Sequence, residues 1–384
     1  MRRIIWLLTV LTLIVLAACN GLDTPTTSSP ASTTSRQTPK ITKWLDLNYY
    51  GANSPNPAAT SLDIYGAENL KGAPVMLFIH GGGWATGDKT TAVKYKPEFF
   101  VASGYIFVSI NYRLVPEIQF PTNVEDVAKA IAWTSDNISK YGGDPGRIFV
   151  SGHSAGAHLA TLVTTNENYL QALGKNLSVT KGCIPLDSAA FDINSVMEEA
   201  RSRGVRNELY EGAFTSNPKI WTEASPITWV SRGRGVPPFL LVYVADRQDS
   251  AVNSRNMAEK LRAAGIRAEV FSAANKTHAS LNRQLGLEKD PPTEAVVNFL
   301  STVGGNPATA AHYVPVPPEE IISPDRAARA REQAKTFFKR WDTNQDGKLS
   351  RGEVPEANRA NFADADDDLD GFVTEDELAR FLGQ

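Results

Sequence analysis

An α/β fold with a small, separate all-α domain at its carboxyl end is what this sequence predicts, on three observations. Between residues 41 and 303 short β-rich apolar runs alternate with amphipathic stretches of helical length, the pattern of a mostly parallel sheet covered by helices on both faces. Gly304-Gly305, Pro307, Pro315, Pro317 and Pro318 then break the chain between 304 and 318. Beyond the break, from 319 to 384, the composition turns acidic and helical. A chain of 384 residues is too long for one average domain, so two structured units also agree with its length. With 39 basic against 42 acidic residues the net charge of -3 gives no electrostatic reason to bind nucleic acid.

The elements follow in order. Arg2 and Arg3 precede the apolar run Ile4 to Ala18, which has the length of an export-signal core and is short for a bilayer span. Residues 1–18 are therefore expected to be a signal peptide. From Gly21 to Lys40 the chain is Thr, Ser and Pro with hardly a large apolar side chain, so residues 19–40 are expected to form a disordered tether. The strands expected next are Val75–Ile79, Tyr105–Ile110, Arg147–Ser151, Gly182–Leu186, Phe239–Val244 and Ala268–Ser272. Helices are expected at Asn123–Lys140, Ala155–Thr165, Val252–Ala264 and Thr293–Ser301. Of the two cysteines, Cys19 closes the signal and Cys183 falls inside a strand as a small core residue, so no disulfide framework is available.

The chemistry starts at Gly152-His153-Ser154-Ala155-Gly156, a GxSxG sequence set between an apolar strand and an apolar helix. Small residues on either side let the chain turn sharply and present the hydroxyl, which makes Ser154 the candidate nucleophile; capping of the helix is the simpler alternative. A neutral serine needs a histidine base and a carboxylate, in the order Ser, Asp or Glu, His for this kind of sheet. His80 lies upstream, His153 and His158 are tied beside the serine, and His312 falls in the proline-rich joint. His278 is the candidate base by elimination. Strand Phe239–Val244 ends in Ala245-Asp246, which nominates Asp246 as the acid; Asp249 is its rival, with helix capping as an alternative role. His80-Gly81-Gly82-Gly83-Trp84 follows strand Val75–Ile79, and the main-chain N–H groups of Gly82, Gly83 and Ala155 are the expected oxyanion donors.

HGGGW at 80–84, NYRL at 111–114, Phe120-Pro121 with Asp126, Trp133, the run 141–145 and GHSAG at 152–156 together resemble the hormone-sensitive-lipase-like branch of the α/β-hydrolase superfamily. The resemblance covers roughly residues 44–303. It implies an eight-stranded sheet, a Ser154–Asp246–His278 triad, and cofactor-free hydrolysis of carboxylic esters of small or medium size through an acyl-serine. Ala245-Asp246-Arg247-Gln248-Asp249 departs from the family's pattern, because apolar residues usually follow the aspartate. The segment Ala189–Val236, with Tyr210, Phe214, Trp221 and Trp229, is open to two readings: the wall of a substrate pocket or the core of a packed insertion. Aryl-formamide or amide hydrolysis is the runner-up, and a catalytically idle binding lipoprotein stands as a different class. Leu16-Ala17-Ala18-Cys19 resembles the bacterial lipobox, which implies a lipid on Cys19 and an outer-membrane or periplasmic location; an ordinary secretory signal is the alternative.

Residues 342–353 and 366–377 each meet the EF-hand calcium-loop pattern. The ligands expected are Asp342, Asn344, Asp346, Ser350 and Glu353 with the Lys348 carbonyl, and Asp366, Asp368, Asp370, Thr374 and Glu377 with the Phe372 carbonyl. The glycine at position 6 of each loop permits the sharp turn. Leu349 and Val373 hold position 8, where paired loops join by a short two-stranded contact. Flanking helices are expected at Arg326–Trp341 and Glu375–Leu382. The second loop offers four carboxylates against three, and tighter binding there is expected. A protein partner of the pair is a further expectation.

Overall fold

The computed structural model describes residues 40–68, 70–305, 314–315, 324–355, 362–366 and 372–383. The signal peptide, Cys19, Asp368, Asp370, nearly all of the tether and most of the linker lie outside the described residues. Eight strands form the main sheet: β1 (Ile41–Asn48), β2 (Ser61–Ala67), β3 (Ala73–Ile79), β4 (Ile106–Ile110), β5 (Gly143–His153), β6 (Thr180–Leu186), β7 (Phe239–Val244) and β8 (Ala268–Ala273). Their order is β1-β2-β4-β3-β5-β6-β7-β8. The β1–β2 and β2–β4 pairs are antiparallel and all other pairs parallel. The order reverses at β3, and the carboxyl ends of the parallel strands gather the loops that carry chemistry in such sheets.

Period-two alternation decides which face each side chain serves. Along β3, Val75, Leu77 and Ile79 enter one buried core, while Met76 and Phe78 enter another on the opposite face. The first core receives α2 (Thr122–Asn137), α3 (Ala155–Thr165) and α9 (Gln248–Ala263). The second receives α1 (Lys96–Ala102), α10 (His278–Arg283) and α11 (Pro291–Thr302). Asp290 starts α11 by accepting from the Thr293 amide, with Pro291 at the first helical position where its missing N–H costs nothing.

Between β6 and β7 the chain forms α5 (Ile193–Ser202), α6 (Glu208–Phe214), α7 (Pro218–Ala224) and α8 (Pro226–Trp229), while the short α4 (Glu167–Gln171) follows α3. Phe214 and Trp221 are fully buried in this insertion. Tyr210 is nearly buried as well, so much of the aromatic content of 189–236 is packing.

At the carboxyl end α12 (Pro324–Trp341), β9 (Lys348–Ser350), α13 (Phe362–Ala365), β10 (Phe372–Thr374) and α14 (Glu375–Gly383) surround their own core of Phe338, Leu349, Val354, Phe362, Val373 and Leu378. β9 and β10 are antiparallel with Leu349 opposite Val373, the pairing expected from the two positions 8.

Candidate active site

β5 ends at His153 and α3 begins at Ala155, so the turn between them is the single residue Ser154, at φ 55° and ψ −121°. A non-glycine residue at positive φ is strained and persists only where its surroundings enforce it. Here the flanking glycines permit it. A Cβ at Gly152 would lie 2.3 Å from the Gly156 carbonyl oxygen, and one at Gly156 would lie 2.2 Å from that of Ile79. The sharp turn therefore exists only with glycine at both places.

α10 holds the base by its first residue. Its amino terminus is a capping box: the Thr277 hydroxyl accepts from the Ser280 amide at 3.0 Å, and the Ser280 hydroxyl accepts from the Thr277 amide at 2.8 Å. His278, between them, is thereby fixed in backbone and direction. Its carbonyl accepts from His153 Nε2 at 2.9 Å, and the two imidazole centroids are 4.2 Å apart, which sets the ring next to the nucleophile turn. Burial, then the neighbouring His278, push His153 well below the usual histidine range, so it stays neutral. Among the described residues no hydrogen bond joins Ser154 Oγ to His278.

The carboxylate on the imidazole is Asp187 and not Asp246. His278 Nδ1 lies 2.6 Å from Asp187 Oδ2, whereas Asp246 is exposed on the turn after β7. Asp187 directly follows β6 and is fully buried, its Oδ1 accepting from the Val244 amide at 3.0 Å. Arg247 supplies the physical reason for the exchange. Its side chain turns inward from the same segment as Asp246, and its Nη1 reaches Asp187 Oδ2 at 2.7 Å and His278 Nδ1 at 2.8 Å. Burial alone would raise the Asp187 carboxyl, but the Arg247 charge and the His278 hydrogen bond hold it well below the usual carboxylate range. Asp249 does not cap α9; its carboxylate pairs with Arg247 Nη2 at 3.0 Å. The signal for Asp187 was in the sequence, since Leu186-Asp187 ends an apolar strand just as Val244-Ala245-Asp246 does.

The glycine loop at 81–83 lies against the nucleophile turn, where a Cβ on Gly81 would sit 3.1 Å from that of Ser154. Gly82 and Gly83 both have positive φ, at 109° and 59°. The Gly82 carbonyl accepts from the Ala85 and Thr86 amides, while the amides of Gly82 and Gly83 donate to no described residue. Two aromatic supports fix the loop. Tyr112 stacks on His80 and donates to its carbonyl at 3.1 Å. Trp84 Nε1 donates to His158 Nδ1 at 3.1 Å, and His158 Nε2 donates to the Ala224 carbonyl at 2.7 Å. Burial lowers both His80 and His158 to about 4, so neither competes as a base near neutral pH. Arg113 grips Asp126 through Nε and Nη2 at 2.8 and 2.7 Å, giving the NYRL motif a structural role.

Ser154, Gly83, Ala155 and Asp187 open into one cavity of about 920 Å³. Gly82 is not in its lining. Tyr210 and Leu209 from the insertion, Arg203 and Arg206 from the loop around α5, and Phe372 from β10 form other parts of its wall. Each arginine is already matched with a carboxylate: Arg203 with Glu199, Arg206 with Glu211, Arg247 with Asp187 and Asp249.

The loop at 342–353 closes on itself through oxygen acceptors. Asp342 accepts from the Asp346 and Gly347 amides at 3.2 and 3.0 Å, and Asn344 from the Asp346 amide at 2.9 Å. Glu353 spans the loop, taking the Thr343 amide on one oxygen and the Ser350 amide and hydroxyl on the other. These bonds, led by that from the Ser350 amide, lower Glu353 to about 2. In the second loop Glu377 accepts from the Thr374 amide and hydroxyl at 2.7 and 2.6 Å, and Asp366 is buried. Among the described residues no group of three or more His, Cys, Asp or Glu is gathered closely enough to hold a metal ion.

Residues 62–261 match the BD-FAE family over more than half of the chain. Esterase LipQ of Mycobacterium tuberculosis is 29% identical over 259 residues, covering 65% of this chain and 61% of LipQ. Esterase LipC of the same organism is 29% identical over 265 residues, covering 67% of this chain and 65% of LipC. The match therefore spans less than two thirds of either relative. Among solved structures, butyrate-bound esterase Est2 of Thermogutta terrifontis superposes with a TM-score of 0.55 at 22% identity, over 70% of this chain and 96% of that one. The turn geometry of Ser154, the sheet order and the matched residues 62–261 lead to one assignment: this chain belongs to the BD-FAE family, on an α/β-hydrolase fold.

Proposed function

We propose that this protein is a serine hydrolase of carboxylic esters, with Ser154 as nucleophile, His278 as base and Asp187 as the acid that orients it. The observation that carries the reading is the bond of 2.6 Å from His278 Nδ1 to Asp187 beside a strained serine turn that opens into a cavity. Asp187 fixes the tautomer with the proton on Nδ1, which leaves Nε2 to take the Ser154 proton as the hydroxyl attacks the ester carbonyl. The relay between hydroxyl and imidazole closes in the substrate complex, as hydrogen bonds of catalytic groups commonly do. The amides of Gly82, Gly83 and Ala155 serve the oxyanion, and each such donor contributes about 3 to 4 kcal/mol. The alcohol leaves with the proton from His278, and water activated by the same ring releases the acid from the acyl-serine. Because every arginine of the cavity already holds a carboxylate, the substrate is read as uncharged around the scissile bond. The esterase relatives support the reaction class. Hydrolysis of p-nitrophenyl acetate by wild type and Ser154→Ala tests it: the variant should lose at least about 10³-fold in kcat, and equal rates would end the reading.

Two further parts belong to the same reading. Asp342, Asn344, Asp346, Ser350 and Glu353 with the Lys348 carbonyl, and the matching set at 366–377, are read as calcium loops. All-oxygen donors, Gly347 at φ 79° and the Leu349–Val373 pairing support it. When bound, the ion would tie loop and flanking helices together; no catalytic step needs it. Residues 1–18 are read as an export signal with lipid on Cys19, so the enzyme would be held at a bacterial membrane surface. Palmitate incorporation that persists in Cys19→Ala would remove the anchor.

A further inference from the structure

Four large hydrophobic side chains are exposed among the described residues: Leu45 (52%), Val205 (56%), Val252 (49%) and Phe372 (38%). Scattered singly they would need no explanation, since folded proteins expose many apolar atoms. Three of them are not scattered. Val205, Val252 and Phe372 all line the cavity that contains Ser154, and they come from three separate parts of the chain: the loop after α5, the helix α9 and the strand β10.

The last of these brings the carboxyl-terminal domain into the catalytic cavity. That domain is seated beside the site in one other place. α13 packs against α10, the helix that begins with His278. The linker before the domain is fixed as well: Val314 donates its amide to the Gly286 carbonyl at 2.9 Å, and its carbonyl accepts from the Glu288 amide at 2.7 Å. Lys348, from the opposite strand β9, places its ammonium 5.3 Å from the Phe372 ring centroid, a cation–π arrangement that orients the ring.

We propose that Val205, Val252 and Phe372 form a distal apolar subsite of the cavity, which takes an aryl or alkyl substituent of the ester, and that the carboxyl-terminal domain thereby sets substrate preference. The proposal rests on the ester-hydrolase reading above. The rest of the lining mixes Trp84, Val196, Leu209 and Tyr210 with Ser188, Asn207, Asn253 and Asn256, so the three exposed side chains add to an apolar surface the cavity already offers. Phe372 is at position 7 of its loop, where the calcium pattern uses the main-chain carbonyl, so its side chain is available for this use.

The test uses the full chain and three uncharged esters: ethyl acetate, small on both sides; 2-naphthyl acetate, bulky in the leaving group; and ethyl octanoate, long in the acyl group. Phe372→Ala should lower kcat/KM about tenfold for at least one bulky ester, through KM, and by less than about twofold for ethyl acetate. Val252→Ala, on the catalytic domain and independent of the carboxyl-terminal fold, should show the same selective loss. Leu45→Ala, outside the cavity, should change none of the three. Equal effects of Phe372→Ala on all three esters, or none on the bulky pair while wild type turns them over, would overturn the subsite and leave the hydrolase standing. A wild type that cleaves none of them would remove both.

Discussion

Replacing Asp187 by Asn tests the site where structure and sequence diverge. The groups that face the carboxylate are donors: the Val244 amide on Oδ1, His278 Nδ1 and Arg247 Nη1 on Oδ2, and the Ser250 hydroxyl. An asparagine has one acceptor oxygen. Turned to keep the histidine and arginine, its NH2 meets the Val244 N–H; turned to keep Val244, its NH2 meets Nδ1 and Arg247 and forces the wrong tautomer. Either way the charge that stabilises the developing imidazolium is gone. The expected loss in kcat is about 10³- to 10⁴-fold, or about 4 to 5.5 kcal/mol of transition-state stabilisation, with KM nearly unchanged. The fold should survive, because one unmet buried donor costs about 1 to 3 kcal/mol and Arg247 keeps Asp249. Asp246→Asn, on an exposed turn, should stay within about twofold of wild type. Steady-state hydrolysis of p-nitrophenyl acetate, with thermal midpoints recorded in parallel, separates the two. An Asp187→Asn enzyme within tenfold of wild type, beside an Asp246→Asn enzyme that has collapsed, would refute the assignment.

Lys96 is buried against the Phe78 ring and donates to the Asn282 carbonyl at 2.6 Å, and burial lowers it to about 7. Between about pH 7 and 10 the unfolded chain therefore carries a proton here that the folded chain lacks, so stability should rise with pH, at up to about 1.4 kcal/mol per unit. Urea unfolding from pH 7 to 9.5 should show that slope in wild type and a flatter one in Lys96→Met; parallel slopes would assign it elsewhere. Removing calcium with a chelator should lower the thermal midpoint of wild type, with a smaller change in Glu353→Gln. Calorimetry of the two single-loop variants should find tighter binding at 366–377, and the reverse order would show that carboxylate number does not decide it.

Much of the architecture was legible because buried parallel strands are continuous apolar runs: β3, β4, β6 and β7 fall where those runs do, and the half-exposed edge strand β8 carries a shorter one, Val270-Phe271. β1 and β2 were missed, because β1 is half exposed and β2 carries the buried Asp63 and a glycine at 66, which dilute the pattern. Asp63 is compensated by Lys89 at 2.8 Å, a partner 26 residues on that periodicity does not reveal. Ser154 and His278 were nominated by motif and elimination, which are arguments along the chain. The acid was harder. Two apolar strands end in an aspartate, and which one meets the imidazole depends on an arginine side chain turning inward, a choice made by tertiary packing and invisible to strand-end logic.

Trp84, His158 and Ala224 form a continuous hydrogen-bonded strap from the glycine loop, through the helix after Ser154, to the insertion that lines the cavity. On the ester-hydrolase reading proposed above, remodelling that insertion therefore pulls on the amides assigned to the oxyanion. Substitutions near residue 224 made for selectivity should surface as altered turnover, whereas changes at the β9–β10 pair, which the strap does not include, should leave turnover intact.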